Sequence, residues 1–130
     1  MNITDIQPLI DIAIKAGEAI LEVYNGTQED FGITRKEDNS PLTAADRVSH
    51  DIIVEGLTRL YPEIPILSEE GADIEYAVRK EWKQYWCVDP LDGTKEFISR
   101  NGQFTVNIAF MEHNKPVIGV IYSPVLNVVY

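Results

Sequence analysis

The sequence predicts an α+β fold, with two long helices packed on one face of a mainly antiparallel sheet. Two observations carry that reading. Apolar residues recur at helical spacing as far as Leu60, and from Ile64 onward they gather instead into short β-prone runs rich in Val, Ile, Tyr and Phe. Helices grouped ahead of strands pack as separate layers, which is the α+β arrangement. The chain length of 130 residues matches the roughly 100 to 150 residues of a typical domain. The expectation is therefore one domain over residues 1–130.

The first helix is predicted from the capping-box pattern Thr4 with Gln7, followed by Ile6, Leu9, Ile10, Ala13, Ala16, Ile20 and Val23 until Asn25-Gly26. A short strand candidate covers Phe31 to Thr34. Lys36-Glu37-Asp38-Asn39-Ser40-Pro41 is turn chemistry without periodic apolar residues and predicts a loop. Thr43 with Asp46 opens a second helix, whose apolar face is Ala44, Ala45, Val48, Ile52, Ile53, Leu57 and Leu60, ending before Pro62. Predicted strands follow at Ile64 to Leu67, Tyr85 to Val88, Phe104 to Met111, Val117 to Tyr122 and Val125 to Tyr130. Gly71 to Arg79 reads as a loop with a short helix, and Glu112 to Lys115 as a hairpin turn. The run Val125 to Tyr130 has no polar tail, so it is expected to be an adhesive edge. It calls for a covering partner or missing chain, and self-association through it is the partner expectation.

With 11 Lys and Arg against 21 Asp and Glu, the formal charge is −10. That argues against a nucleic-acid polymer or an anionic membrane as partner. A small phosphate ester fits only if cations invert the local field. The single Cys87 lies in an apolar run, which predicts a buried thiol, no internal disulfide and a reducing compartment. The start lacks a basic leader, and no stretch approaches the ~20 apolar residues of a membrane span. A soluble cytoplasmic protein is expected.

Carboxylates fall at the ends of the predicted elements: Asp38, Asp46, Glu69, Glu70, Asp89 and Asp92. If the strands are neighbours, Glu69, Asp89 and Asp92 converge. Such charges repel by about 4 kcal/mol per pair at ~4 Å and an effective dielectric near 20. A hard cation relieves that repulsion, and all-oxygen ligands favour Mg²⁺ over zinc. In Asp89-Pro90-Leu91-Asp92-Gly93-Thr94, Pro90 fixes the backbone, Gly93 allows close approach, and Thr94 to Ser99 has helical character. The Gly93 and Thr94 amides with the Thr94 hydroxyl could then hold phosphate oxygens. Plainer readings stand beside these. Asp89-Pro90 and Asp92-Gly93 are ordinary turn pairs, Asp46 is a capping residue, and Glu70 is a solvated turn residue. His50 reads as helix surface, His113 as turn, and Trp82, Tyr85 and Trp86 as core.

Taken with its neighbours, Asp89-Pro90-Leu91-Asp92-Gly93-Thr94-Lys95-Glu96-Phe97 resembles the signature of the inositol monophosphatase-like, lithium-sensitive phosphatases. Lys36 to Asp46, Leu67-Ser68-Glu69-Glu70 and Phe104-Thr105-Val106-Asn107 are similar to further blocks of that family, in family order. Lys95-Glu96, with Ser40 to Asp46 upstream, resembles the CysQ-type 3'(2'),5'-bisphosphate nucleotidases. The resemblance implies the N-terminal domain of the inositol monophosphatase and sugar phosphatase fold. It implies Glu69, Asp89 and the Leu91 carbonyl for one Mg²⁺, and Asp89 with Asp92 towards a second. It also implies that Asp46 and Thr94 orient and activate the attacking water, with Glu69 assisting, and that the Gly93 and Thr94 amides hold the phosphate. Family members are about twice as long, and their second half, an α/β domain, carries a Trp-Asp ligand motif absent here. The chain therefore looks like a fragment. The implied reaction is Mg²⁺-dependent removal of the 3'-phosphate of adenosine 3',5'-bisphosphate to give AMP, clearing a by-product of sulfate assimilation. The alternatives are an inositol or sugar phosphate phosphatase, and a metal-binding fragment without activity of its own.

Overall fold

The computed structural model describes residues 5–26, 33–35, 41–71 and 76–130. Helix α1 spans Gln7–Tyr24. Its N-cap is Ile6, so the box expected at Thr4 does not open it, and Thr4 itself lies outside the described residues. Asp5 Oδ1 instead accepts the Gln7 amide at 2.9 Å, and Pro8 occupies the first turn, where a missing N–H costs nothing. The buried stripe is Leu9, Ile12, Ala13, Ala16, Gly17 and Ile20, whereas Ile6 is exposed. Gly17 is needed for close approach, since a Cβ there would come within 2.3 Å of the Tyr122 ring.

Strands β1 (Thr34–Arg35) and β2 (Pro41–Leu42) pair antiparallel. Of the predicted strand Phe31 to Thr34, Thr34 falls in β1, while residues 31–32 lie outside the described residues. Of the expected loop from Lys36 to Pro41, Pro41 is in β2, and residues 36–40, with Asp38, lie outside the described residues. Helix α2 spans Ala44–Leu60 and begins as predicted, with Thr43 and Asp46 in a reciprocal capping box. Its buried face differs from the expected one. Ala45, Asp46, Ser49, Ile53 and Leu57 are buried, whereas Val48 and Leu60 are exposed. The stripe that packs inward is partly polar.

Strand β3 (Ile66–Ser68), helix α3 (Tyr76–Arg79), strand β4 (Gln84–Asp92), helix α4 (Thr94–Ile98) and strands β5 (Thr105–Glu112), β6 (Lys115–Ser123) and β7 (Val128–Val129) complete the described chain. The five-stranded sheet has the order β3-β4-β5-β6-β7. β3 and β4 are parallel and the other pairs antiparallel. The β5–β6 hairpin turns at His113 and Asn114, with φ of 51° and 61°, the positive pair that a tight hairpin requires.

Both long helices lie on one face of the sheet. Trp86, Val88, Val106, Ile108, Phe110 and Val120 point into that core with Leu9, Ile20, Ile53 and Leu57. Tyr24, Phe97 and Phe104 pack as a ring cluster with centroids 5.1–5.4 Å apart. Arg100, at φ 59°, ties the end of α4 to the end of α1, donating to the Tyr24 and Gly26 carbonyls at 3.0 and 2.7 Å. A cation at a helix C-terminus answers both the orphan carbonyls and the dipole.

Two further expectations are corrected. Cys87 is exposed, because alternation along β4 turns it away from the helices between buried Trp86 and Val88. The terminal strand is shorter than Val125 to Tyr130. Pro124 to Asn127 form a turn, Val128 and Val129 pair with β6 at Ser123 and Tyr122, and the Tyr130 backbone exchanges hydrogen bonds of 2.8 and 3.2 Å with Ile121. Among the described residues, no helix is long and apolar enough to cross a membrane.

Candidate active site

The acidic residues gather where β3 ends and β4 breaks its alternation. In a regular strand, residues three apart face opposite sides. Asp89 pairs with Asn107 and Asp92 with Thr105, so β4 carries one extra residue between them. Pro90 and Leu91 are both buried as a result, and Asp92 is returned to the side of Asp89. What reads as a turn in sequence is a strand with a register shift. Pro90 is tolerated in this inner strand because the ladder to β3 has ended at Ser68 opposite Val88.

The parallel pairing sets Glu69 beside Asp89: the Glu69 amide donates to the Val88 carbonyl at 3.0 Å. Glu69 and Asp92 are exposed, and Asp89 is half-buried. Asp92 Oδ2 accepts from Asn107 Nδ2 at 3.3 Å, and Asn107 in turn accepts the Thr105 hydroxyl at 2.8 Å. Asp89 Oδ1 is buried and has no hydrogen-bond partner among the described residues. Burial first, then the charges of Asp92 and Glu69, push the Asp89 carboxyl up to about 6, although the Leu91 amide pulls the other way. A buried, unpaired carboxylate oxygen between two further carboxylates is the electrostatic setting that a hard cation satisfies. Among the described residues, no three His, Cys, Asp or Glu side chains are drawn together closely enough to form a metal cage by themselves. The Cys87 thiol on the same strand is raised by partial burial and by the Asp89 and Glu69 charges.

Gly93 follows at φ 99° and ψ 43° as the N-cap of α4. A Cβ at that position would lie 2.8 Å from the Gln103 carbonyl oxygen, so both conformation and space demand glycine. Behind it, Thr94 Oγ1 donates to Asp46 Oδ1 at 3.0 Å, with the Leu91 carbonyl a longer 3.4 Å away. Asp46 is fully buried. Its other oxygen accepts the Thr43 amide at 2.8 Å and the Thr43 hydroxyl at 2.6 Å. Asp46 thus caps α2 through one oxygen and accepts the Thr94 hydroxyl through the other.

The predicted residues Asp46, Glu69, Asp89, Leu91, Asp92, Gly93 and Thr94 all fall in this one region, at the ends of β3 and β4 and the starts of α2 and α4. Three neighbours went unpredicted. Ser49 is fully buried and donates to the Pro90 carbonyl at 2.7 Å. His50, expected on the helix surface, is half-buried with Nδ1 2.8 Å from Ser68 Oγ. Asn107 holds Asp92. A polar Ser49 at helical spacing from Asp46, inside an apolar stripe, was the available signal. Trp86 is core as expected, while Trp82 and Tyr85 pack on each other, half-buried.

Comparison with known proteins gives a consistent result. A sequence model described as the inositol monophosphatase family matches residues 3–130. The 3'(2'),5'-bisphosphate nucleotidase CysQ of Escherichia coli K12 is 55% identical over 119 residues, covering 92% of this chain and 48% of the relative. The protein of the same name from Salmonella typhimurium is 54% identical over 125 residues, covering 96% of this chain and 50% of the relative. In three dimensions the chain is similar to the crystal structure of CysQ from Bacteroides thetaiotaomicron, with TM-score 0.79 and 54% identity over 95% of this chain and 43% of that one. It is also similar to the extragenic suppressor protein SuhB of Bartonella henselae, with TM-score 0.84, 30% identity and coverage of 95% and 46%. The chain spans about half the length of the curated relatives it matches.

Proposed function

The chain belongs to the inositol monophosphatase family, in its CysQ subgroup, and from that premise we propose that the protein is a Mg²⁺-dependent phosphomonoesterase that removes the 3'-phosphate of adenosine 3',5'-bisphosphate, leaving AMP and phosphate. The observation that carries the chemistry is the Thr94 to Asp46 hydrogen bond set beside the unpaired oxygen of Asp89.

Glu69, Asp89 and the Leu91 carbonyl are the residues that would hold one Mg²⁺, and Asp89 with Asp92 a second. When bound, Mg²⁺ supplies a hard Lewis acid that offsets phosphate charge and favours ionisation of water. The remaining work falls to the chain's own groups. Because the Thr94 hydroxyl gives its proton to Asp46, its oxygen keeps lone pairs with which to accept a hydrogen bond from water and so orient it. Asp46 is held by Thr43 on its far side, stays an acceptor, and is placed to take a proton passed through Thr94. The Gly93 and Thr94 amides, at the start of α4, are assigned to the phosphate oxygens.

All these residues address the phosphate and the water. The substrate choice rests on the subgroup relatives, which are named 3'(2'),5'-bisphosphate nucleotidases. The test is phosphate release with Mg²⁺ from adenosine 3',5'-bisphosphate and from inositol monophosphate. A kcat/KM at least tenfold higher for the nucleotide is expected. Preference for inositol monophosphate overturns the substrate assignment, and release from neither replaces it with a metal-binding unit that lacks turnover of its own.

A further inference from the structure

Helix α2 presents three polar side chains on one face, at positions i, i+3 and i+4, and each holds a different segment of the site. Asp46 takes the Thr94 hydroxyl of α4 at 3.0 Å. Ser49, fully buried, donates to the Pro90 carbonyl of the shifted part of β4 at 2.7 Å. His50 meets Ser68 Oγ, the last residue of β3, at 2.8 Å, one of the two groups donating according to the ring tautomer.

The sheet supplies this alignment from the β5 side only, where Asp89 pairs with Asn107 and Asp92 with Thr105. The β3–β4 ladder stops at Ser68 opposite Val88, with one further bond from the Glu69 amide. Past it, Pro90 has no N–H to give and the register of β4 shifts. Beyond that bond, no ladder among the described residues joins the segment from Asp89 to Asp92 to Glu69 on the β3 side. Ser49 fixes one side of that gap and His50 the other, both from a helix whose own start is locked by the Thr43–Asp46 box. Residues one turn apart on a rigid helix keep a constant spacing between whatever they hold.

Resting on the Mg²⁺ reading above, we propose that Ser49 and His50 are positioning residues, which set the distance of Glu69 from Asp89, Leu91 and Asp92 and thereby the affinity of the site for a divalent cation. Neither touches the cation or the phosphate. Partners that orient a ligand from behind commonly govern 10- to 100-fold in metal affinity.

The experiment is calorimetric titration of the 130-residue chain with MgCl₂, alongside thermal melts without metal. Ser49→Ala and His50→Leu are each expected to weaken Mg²⁺ binding by about tenfold or more. His50→Asn, whose amide can stand where Nδ1 stands, is expected to restore binding to within about threefold. Combining His50→Leu with Ser68→Ala is expected to add nothing, since both remove one bond. Lower melting temperatures with unchanged Mg²⁺ affinity in the His50 and Ser49 variants overturn the proposal and leave these residues as packing alone. Absence of Mg²⁺ binding in the unsubstituted chain overturns the metal reading and this one with it. The His50 variants, at a half-exposed position, keep the test open should Ser49→Ala not fold.

Discussion

Thr94 Oγ1 and Asp46 Oδ1 lie 3.0 Å apart although 48 residues separate them in the chain. The bond joins the first turn of α2 to the first residue of α4, so a capping carboxylate and a candidate water-orienting hydroxyl share one proton. Thr94→Val, which keeps the shape and removes the hydroxyl, is expected to lower kcat by about 10²-fold or more with a smaller effect on KM. Thr94→Ser is expected to recover most of the loss. Equal effects of the two substitutions in steady-state assays would falsify the role of the hydroxyl.

The Asp89 carboxyl titrates near 6 in the fold against an ordinary value of 3.8. A raised acid destabilises the folded state once ionised. The cost is absent below about 4, grows as pH rises, and is complete above about 6. With its open side screened by solvent, it amounts to about 1 kcal/mol, or roughly 4 °C in melting temperature for a domain of this size. Metal-free protein should therefore melt higher at pH 5 than at pH 7.5, and MgCl₂ should raise the melting point at pH 7.5 more than at pH 5. Asp89→Asn should flatten both trends.

Asp92 is exposed, and its side chain accepts a long hydrogen bond of 3.3 Å from Asn107. Asp92→Asn should change stability by no more than about 0.5 kcal/mol. It should nevertheless abolish Mg²⁺-dependent turnover, because it removes a charge from the proposed Mg²⁺ site. Urea denaturation and phosphate release on the same sample separate the two effects.

Gly93 combines positive φ with a Gln103 carbonyl 2.8 Å from any Cβ. Gly93→Ala is expected to cost about 2 kcal/mol or more, from backbone strain and from displacement of the Gln103 strand entry. The expected observation is a lower urea midpoint with an unchanged slope.

Arg100 bonds two carbonyls at the end of α1 and lies 5.9 Å over the Tyr24 ring. Arg100→Ala should destabilise by about 1 to 2 kcal/mol through loss of these caps. Hydrogen exchange should speed up in the last turn of α1 before it does elsewhere in that helix.

The two long helices and the hairpin at His113-Asn114 were legible because each has a local signature: period, caps, and residues suited to positive φ. The parallel pairing of β3 with β4 was not, since a crossover pair has no turn of its own to betray it. Cys87 was misplaced because a run such as Tyr85-Trp86-Cys87-Val88 looks uniformly apolar, and only pairing reveals which members face the helices. Hydrophobicity alone places Val48 and Leu60 on the inward face of α2 and leaves Ser49 and His50 off it. Hydrophobicity cannot identify a stripe that is buried in order to grip other segments. The candidate site residues are named by resemblance, whereas the bonds that Ser49 and His50 make behind them are visible only in the fold.

The extra residue in β4 bears on how the motif can be moved. Four residues spelling Asp-x-x-Asp, grafted into an evenly pleated strand of another scaffold, would present their carboxylates to opposite sides of the sheet. A transplant must carry the irregularity with the letters, together with the Asn107 and Thr105 partners that define it. By the same parity rule, one residue added or removed between Asp89 and Asp92 should be harsher than any single replacement there, whereas the tip at His113-Asn114 offers a natural place for added length.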